Sequence, residues 1–563
     1  MKSIGLFLFA TLITITTFAQ GLPKPVEKAR KAVFSIVTYK DNKLLNSGNG
    51  FFISEDGVGV SDYGLFKGAD KAVVIAADGK EYPVELIQGA NELYDVVKFS
   101  IQKGKKMPYL TKARRMPAIN ETIYVLPYAT QKSPTNINGK IAKADSLPQG
   151  SLYYTLDFAS TEKDVSCPIV NAEGEVTALL QKGNSGNQSF AIGIGYAENL
   201  TITPLSINDV SLNNIHIAKA FPNTEDQALV YLYLASTTVD DTAYLQLLNR
   251  FIATYPQSSE GYLRRATHLL SKQTATSLSS AEADLKKVLE TADNKADAYY
   301  DCARVIYNYN MALEENKKAP EGWEMSKAQD FLRNAIAGKE LAVYHQLQGD
   351  IHFAEKQYPE ATVAYEKAAR LQPSAAVYYA AARSKELTEG TNRKEVVALL
   401  DSAVAQYVTP YPLEAATYIY ERARVKNDAE MYREAVADYN TFQQLAGDKV
   451  TAQFYLTRAQ AEMKCRMYAQ AVADMEKAVT LAPADSDAWT EKGSVHLRVN
   501  QREEAIKSLE KAIALDNKNA TAYRMLGYIQ VENKQKTQGI SNLQRASELG
   551  DNVATDLLKK YNN

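Results

Sequence analysis

The sequence predicts a multidomain chain: an all-β N-terminal module followed by an all-α solenoid of stacked helical hairpins. Three observations predict it. Between Val33 and Ile194, short runs of β-branched and aromatic residues alternate with glycine, asparagine and aspartate, as in a β sandwich or a pair of barrels. Beyond Asn223, alanine, leucine, tyrosine and charged residues recur at helical spacing. Near the C-terminus the same residue types return every 34 positions, the mark of a repeat array.

At 563 residues the chain exceeds what one core supports. Its 45% hydrophobic and 23% charged residues are those of a globular protein. Lys+Arg 64 against Asp+Glu 66 gives a net charge of -2, so no global field draws nucleic acid or an anionic membrane, and partners must be recognised locally. Three cysteines, Cys167, Cys302 and Cys465, are too few and too scattered for a disulfide framework. No C-x-x-C, H-E-x-x-H or glycine-rich phosphate loop occurs, so neither metal nor cofactor is expected.

The start has the form of a signal peptide. Met1-Lys2-Ser3 precedes an apolar run from Ile4 to Phe18, and cleavage is expected after Ala19. The mature chain is therefore expected to be exported, periplasmic or secreted. No later stretch is apolar enough to span a membrane.

In residues 22–205, strands are expected at Val33–Tyr39, Gly50–Ile53, Ala72–Ala76, Val96–Ile101, Thr122–Leu126 and Tyr153–Phe158. Turns are expected at Ser47-Gly48-Asn49-Gly50, Asp78-Gly79 and Asn138-Gly139. The stretch Leu156–Leu180 reads as two β segments, Leu156–Ala159 and Ile169–Leu180, flanking a loop.

Asp157, Ala159, Pro168, Val170, Asn171, Gly174, Glu175 and Val176 fall in the order D-x-A…P-x-V-N-x-x-G-E-V. Upstream stand Gly48-Asn49-Gly50-Phe51-Phe52-Ile53-Ser54-Glu55-Asp56-Gly57 and Asp78-Gly79-Lys80-Glu81-Tyr82-Pro83; Phe190-Ala191-Ile192-Gly193-Ile194 follows. In this order they resemble the trypsin-like serine proteases of the HtrA type, which implies a double β-barrel.

Carried over position by position, the resemblance puts the family's catalytic histidine on Gly64, its aspartate on Asp95 and its nucleophilic serine on Val165. The oxyanion-loop glycines fall within Lys163-Asp164-Val165-Ser166-Cys167, which contains none. The five histidines are His216, His268, His345, His352 and His496, all outside residues 22–205. A pseudoprotease is expected, with Ser166 as the fallback nucleophile and Lys163 or Lys182 as its conceivable base.

Residues 206–223 are expected to link the domains. Beyond them, Tyr455, Trp489 and Tyr523 stand 34 apart, as do Ala459, Gly493 and Gly527. Ala471, Ala505 and Gly539 keep that interval, followed by Met475, Leu509 and Leu543 and then by Ala478, Ala512 and Ala546. The pattern resembles the tetratricopeptide repeat.

Earlier units are marked by His345/Gly349/Ala361/Tyr365 and Ile419/Ala423/Ala435/Tyr439, with Tyr262/Ala266 and Tyr299/Ala303 opening two more. Longer excursions are expected at Ser271–Ser280 and Asn310–Glu321. About eight or nine repeats are expected over 224–553, then a short polar tail, 554–563.

The resemblance implies a groove lined by the first helix of each unit. Its lining positions here include Gln346, Asp350, Leu456, Gln460, Thr490, Ser494, Arg524 and Tyr528. They do not resemble the lysine–asparagine carboxylate clamp for chaperone tails, and they form no basic stripe with interleaved aromatics, which argues against nucleic acid. The expected function is an exported protein-binding adaptor or scaffold of the bacterial cell envelope. Two alternatives stand beside it, an active serine endopeptidase with a substrate-recruiting array and a structural subunit of an outer-membrane or secretion complex.

Overall fold

A computed structural model describes residues 22–102, 106–128, 137–147, 150–315 and 317–562. The expected signal peptide lies outside them. Contacts divide the chain into two compact units, one ending at His268 and the other beginning at Leu269.

The first unit opens with α1 (Lys24–Ala29) and two closed antiparallel barrels. Barrel one contains β1 (Val33–Lys40), β2 (Lys43–Phe52), β3 (Val58–Ser61), β4 (Lys71–Ile75), β5 (Glu81–Asn91) and β6 (Val96–Ile101), in the order β1-β2-β3-β6-β5-β4. Barrel two contains β7 (Thr122–Val125), β8 (Ile137–Ser146), β9 (Leu152–Leu156), β10 (Pro168–Val170), β11 (Val176–Ser185) and β12 (Gln188–Gly193). Its order is β10-β11-β12-β9-β8-β7. Closure leaves neither sheet a free edge.

Alternation fills each barrel. Phe34, Phe52, Phe66 and Phe99 are buried in the first, with Phe34 and Phe52 centroids 4.6 Å apart. Ile123, Tyr154, Leu156, Ile169 and Leu180 fill the second. A third cluster joins the barrels through Phe51, Val60, Val96, Leu126, Val170 and Leu179.

Three expectations change. Ser47–Gly50 is not a turn but lies inside β2, because Gly50 must clear the Phe34 ring and the Val60 carbonyl oxygen, 2.6 Å from where its Cβ would stand. The turn is Asp41-Asn42, both at positive φ (50° and 60°), which suits the tight β1–β2 hairpin. Asn138-Gly139 likewise lies inside β8, with Gly139 packed under Phe158. The expected segment Ile169–Leu180 is a hairpin of β10 and β11. Asn171 bonds to Glu175, and Gly174 turns at φ 76°. On the near side of the loop, β9 stops at Leu156.

The stretch expected as a linker is packed. Ile207, Leu212, Ile215 and Ile217 are buried against barrel one, and Ala218 and Ala220 exchange backbone hydrogen bonds with Ile87 at 2.8 and 2.7 Å. Two helices, α2 (Tyr63–Phe66) and α3 (Ile194–Asn199), belong to the barrels, and α4 (Val210–Asn213) to this stretch. The helices α5 (Glu225–Ala235) and α6 (Asp241–Thr254) follow, contributing Tyr231, Leu232, Leu248 and Phe251 to the barrel-one core. Ile207 and Ile215 sit between polar neighbours, which hides them from composition.

The division falls within α7 (Ser259–Leu270). The expected excursion at Ser271–Ser280 is mostly the start of α8 (Ala275–Thr291), capped by Thr274. Seven helix pairs follow among the described residues: α9 (Lys295–Met311) with α10 (Met325–Gly338), α11 (Ala342–Ala354) with α12 (Tyr358–Leu371), and α13 (Ala375–Leu387) with α14 (Arg393–Val404). Then come α15 (Ala416–Asp428) with α16 (Tyr432–Ala446), α17 (Ala452–Lys464) with α18 (Tyr468–Leu481), α19 (Ser486–Arg498) with α20 (Arg502–Leu515), and α21 (Ala520–Glu532) with α22 (Lys536–Glu548). The expected tail is a capping helix, α23 (Asn552–Asn562), whose Ala554 is buried against Leu543 and Ala546.

Small residues let the paired helices touch. A Cβ on Gly349 would meet the Tyr365 ring at 2.6 Å, and one on Gly493 would meet Leu509 at 2.7 Å. Turns repeat too. Lys356, Glu430, Arg466, Asn500 and Lys534 each adopt positive φ after a first helix. The next amide reaches back to His352, Lys426, Glu462, His496 and Gln530 respectively, each at 2.8 Å. This six-to-one bond closes the helix end. No helix among the described residues is long and apolar enough to cross a membrane.

Candidate functional sites: the interbarrel cleft and the repeat array

Gly64 lies in the single-turn helix α2, whose first amides have no partner within the helix. Asp95 accepts one of them, with Gly64 N–H donating to Oδ1 at 2.7 Å. Asp95 holds φ 45°, a left-handed conformation in which aspartate is enriched. Burial raises its carboxyl pKa, Glu92 adds to the rise, and the Gly64 amide and Lys182 oppose it. The fold therefore brings together the two positions that the resemblance aligned with histidine and aspartate.

The loop before β10 is a single 3-10 turn, Glu162–Asp164, closed by reciprocal Thr161 and Asp164 bonds. Thr161 donates to Asp164 Oδ2 from its amide at 2.8 Å and from its hydroxyl at 2.7 Å. From β2, Asn49 Nδ2 donates to the carbonyls of Lys163 (2.8 Å) and Val165 (3.1 Å), clamping the loop to the first barrel. Val165 is half-buried and carries only methyl groups there.

Ser166 stands at φ 65° and is 1% exposed. Its hydroxyl lies near the Asp62 carboxyl and lowers that group's pKa, yet Ser166 Oγ and Asp62 Oδ1 have no partner in hydrogen-bond geometry among the described residues. Burial holds Asp62 well above the usual carboxylate range, and Asp95 adds to the shift. Lys163 and Lys182 are exposed, and neither supplies a bond to Ser166 Oγ. Cys167 is fully buried, its thiol pushed far up by burial. The sequence reading overlooked Asp62; a carboxylate directly after the strand Val58–Ser61 was the available signal.

In the second unit the expected groove residues divide. Gln346, Gln460 and Tyr528 are exposed and Ser494 is half-buried, whereas Thr490 and Leu456 are buried. Thr490 Oγ1 accepts from Asn519 Nδ2 at 2.9 Å. Asp350 accepts from the Tyr365 hydroxyl at 2.7 Å, and Arg524 Nε donates to Asp551 at 2.7 Å. These three side chains are engaged inside the array.

A polar ladder runs through the later units instead. Three positions after the first aromatic or aliphatic residue of a unit stand Arg422, Arg458 and Lys492. Arg422 bridges Asp401 on α14 at 3.0 Å to Asp438 on α16 at 2.6 and 2.8 Å. Arg458 joins Asn440 and Gln443 on α16 (2.9 and 2.6 Å) to Asp474 on α18 (2.7 and 2.8 Å). Lys492 reaches back to Glu476 at 2.8 Å. Each cation ties its own unit to the second helix of the unit before. Alignment of the units shows these cations; their partners needed the fold.

In the unit of α11 and α12 the same register holds Gln348 and Ala364 in place of arginine and aspartate. A cavity of about 690 Å³ opens there, between Ile336 and Ala337 on one side and Val363 and Ala364 on the other. His345, 2% exposed, forms part of its lining, with Nδ1 3.1 Å from Gln348 Oε1.

Two family models match the chain. One, described as a TPR repeat, covers residues 499–534; the other, described as a tetratricopeptide repeat, covers 452–485. The C-terminal units are tetratricopeptide repeats. Such repeats indicate a protein-binding array, and the double barrel before it is compatible with a trypsin-like fold. No curated protein matches the chain.

Proposed function

We propose that the chain is an exported adaptor of the cell envelope, in which a pseudoprotease double barrel is joined to a tetratricopeptide array that holds polypeptide partners. One observation carries the non-catalytic reading. At the histidine position Gly64 gives Asp95 a backbone amide and no side chain, and the nucleophile position is Val165. Serine hydrolysis needs a base within reach of a hydroxyl that is itself open to substrate. Ser166 is closed off instead, and the carboxyl beside it, Asp62, favours its neutral form through burial. Losing one triad member alone costs up to a factor of about a million in turnover.

The repeat units support the binding half. Exposed residues of their first helices, such as Gln346, Gln460 and Tyr528, are free to contact a partner, and the cavity beside Val363 could seat an apolar side chain. The test pairs two measurements on the intact chain. Fluorophosphonate labelling and a casein assay should give no signal above a Ser166→Ala control, while photo-crosslinkers at positions 346, 460 and 528 should trap a defined envelope protein. Ser166-dependent turnover would reject the reading in favour of the peptidase alternative. That alternative draws its support from the closeness of Ser166 to Asp62.

A further inference from the structure

In the first unit, the segment after barrel two and the helices α5 and α6 enclose a cavity of about 300 Å³. Its polar lining is Ser206, Asn213, His216, Lys219, Tyr231, Gln246 and Arg250, with no aspartate or glutamate among the lining residues. Both full cations donate to backbone carbonyls. Lys219 Nζ donates to the Ile215 carbonyl, and Arg250 donates to the Lys219 carbonyl while its guanidinium lies 5.3 Å over the Phe221 ring. Among the described residues neither has a carboxylate within ion-pair distance, unlike Arg422, Arg458 and Arg524 in the second unit.

Partly burying two like charges side by side is unfavourable unless an anion compensates them. Burial, with Arg250 adjacent, holds the Lys219 ammonium down to about 8. Burial lowers Arg250 as well, opposed by Tyr231 and by the more distant Glu85. Most of the remaining wall is aliphatic, with Ile202, Ile207, Leu212, Val239 and Leu247 beside the Tyr231 ring. The volume is at the lower end of small-ligand sites.

We propose that this cavity binds a carboxylate carried on a small aliphatic group, such as a peptide C-terminus ending in an aliphatic residue. The carboxylate would sit between Lys219 and Arg250, with Gln246 and Asn213 supplying neutral donors and the aliphatic wall receiving the side chain. Arg250 offers a planar fork for bidentate contact, and Lys219 adds a point charge.

The test uses the intact chain and three probes: N-acetyl-L-leucine, its uncharged amide and inorganic phosphate. Calorimetry should show saturable one-to-one binding of N-acetyl-L-leucine, with the amide and phosphate at least tenfold weaker. Lys219→Met should abolish binding yet raise the melting temperature of the unliganded protein, because one of two repelling cations is gone. A residue serving only packing would lower it. Gln246→Glu provides a second route that leaves both cations in place: a carboxylate tethered to the exposed α6 surface should raise the melting temperature and block the probe. Absence of saturable binding, tighter binding of the amide or of phosphate, or unchanged binding in Gln246→Glu would each overturn the proposal.

Discussion

Gly64 presents its amide to Asp95 Oδ1 at 2.7 Å, and a Cβ built on Gly64 would stand 3.4 Å from that same oxygen. A side chain restored at position 64 would therefore lie directly against the carboxylate. Gly64 is exposed and its φ lies outside the left-handed range, so the backbone tolerates a larger residue. In Gly64→His the new imidazole should titrate above its ordinary value of about 6.5, because the neighbouring carboxylate favours the charged form. An NMR titration reads this directly, and adding Asp95→Asn should return the value to normal. Gly64→His alone should still hydrolyse nothing, since Val165 provides no nucleophile.

Glu462 is 2% exposed, and burial raises its carboxyl pKa to about 8, helped by Asp474 and opposed by Arg458. Its folded pKa lies above the unfolded one, so the native state holds an extra proton between about pH 4.5 and 8. That contribution is complete below pH 4.5 and disappears as the pH rises through 8. Stability of the array should therefore fall over that window by an amount on the order of 1–3 kcal/mol. Glu462→Gln should flatten the dependence, as urea unfolding at pH 5, 6.5 and 8 would reveal.

Glycines at the repeat contacts are not equivalent. At Gly493 an added Cβ meets the Leu509 side chain at 2.7 Å, whereas at Gly527 it meets the backbone oxygen of Gly539 at 2.8 Å. A side chain can turn aside more cheaply than a helix backbone can move. Gly493→Ala should cost about 1 kcal/mol, and Gly527→Ala should fall toward the upper end of the 1–3 kcal/mol typical of overpacking. Chemical denaturation of the two variants gives the order.

The ladder pair missing from the unit of α11 and α12 can be rebuilt with Gln348→Arg and Ala364→Asp. Ala364→Asp alone should destabilise by about 1–3 kcal/mol, because it buries a carboxylate without a partner. The double variant should recover most of this, with a coupling energy of about 0.5–3 kcal/mol in a double-mutant cycle. Additive effects would show that the register found at Arg458 and Asp474 does not extend to this unit.

Much of the fold was legible because it rests on periodicities that need no partner to be recognised. Val96–Ile101 was placed to the residue, and the interval linking Tyr455, Trp489 and Tyr523 marked the last units before any contact was known. Glycines were harder to read. Gly48 and Gly50 signal a turn by composition, but they occupy β2 because Leu65 and Phe34 fill the space where their side chains would be.

The sequence by itself determined the order of β module and helical array, the repeat interval, and the absence of histidine from residues 22–205. These are facts of composition and spacing. Tertiary structure alone decided that Gly64 and Asp95 meet, that Ser166 is shut away beside Asp62, and that Lys219 and Arg250 share a cavity without a carboxylate. It also decided that the stretch 206–223 packs on barrel one. Burial and charge pairing depend on which distant segments come together, and a local pattern does not record that.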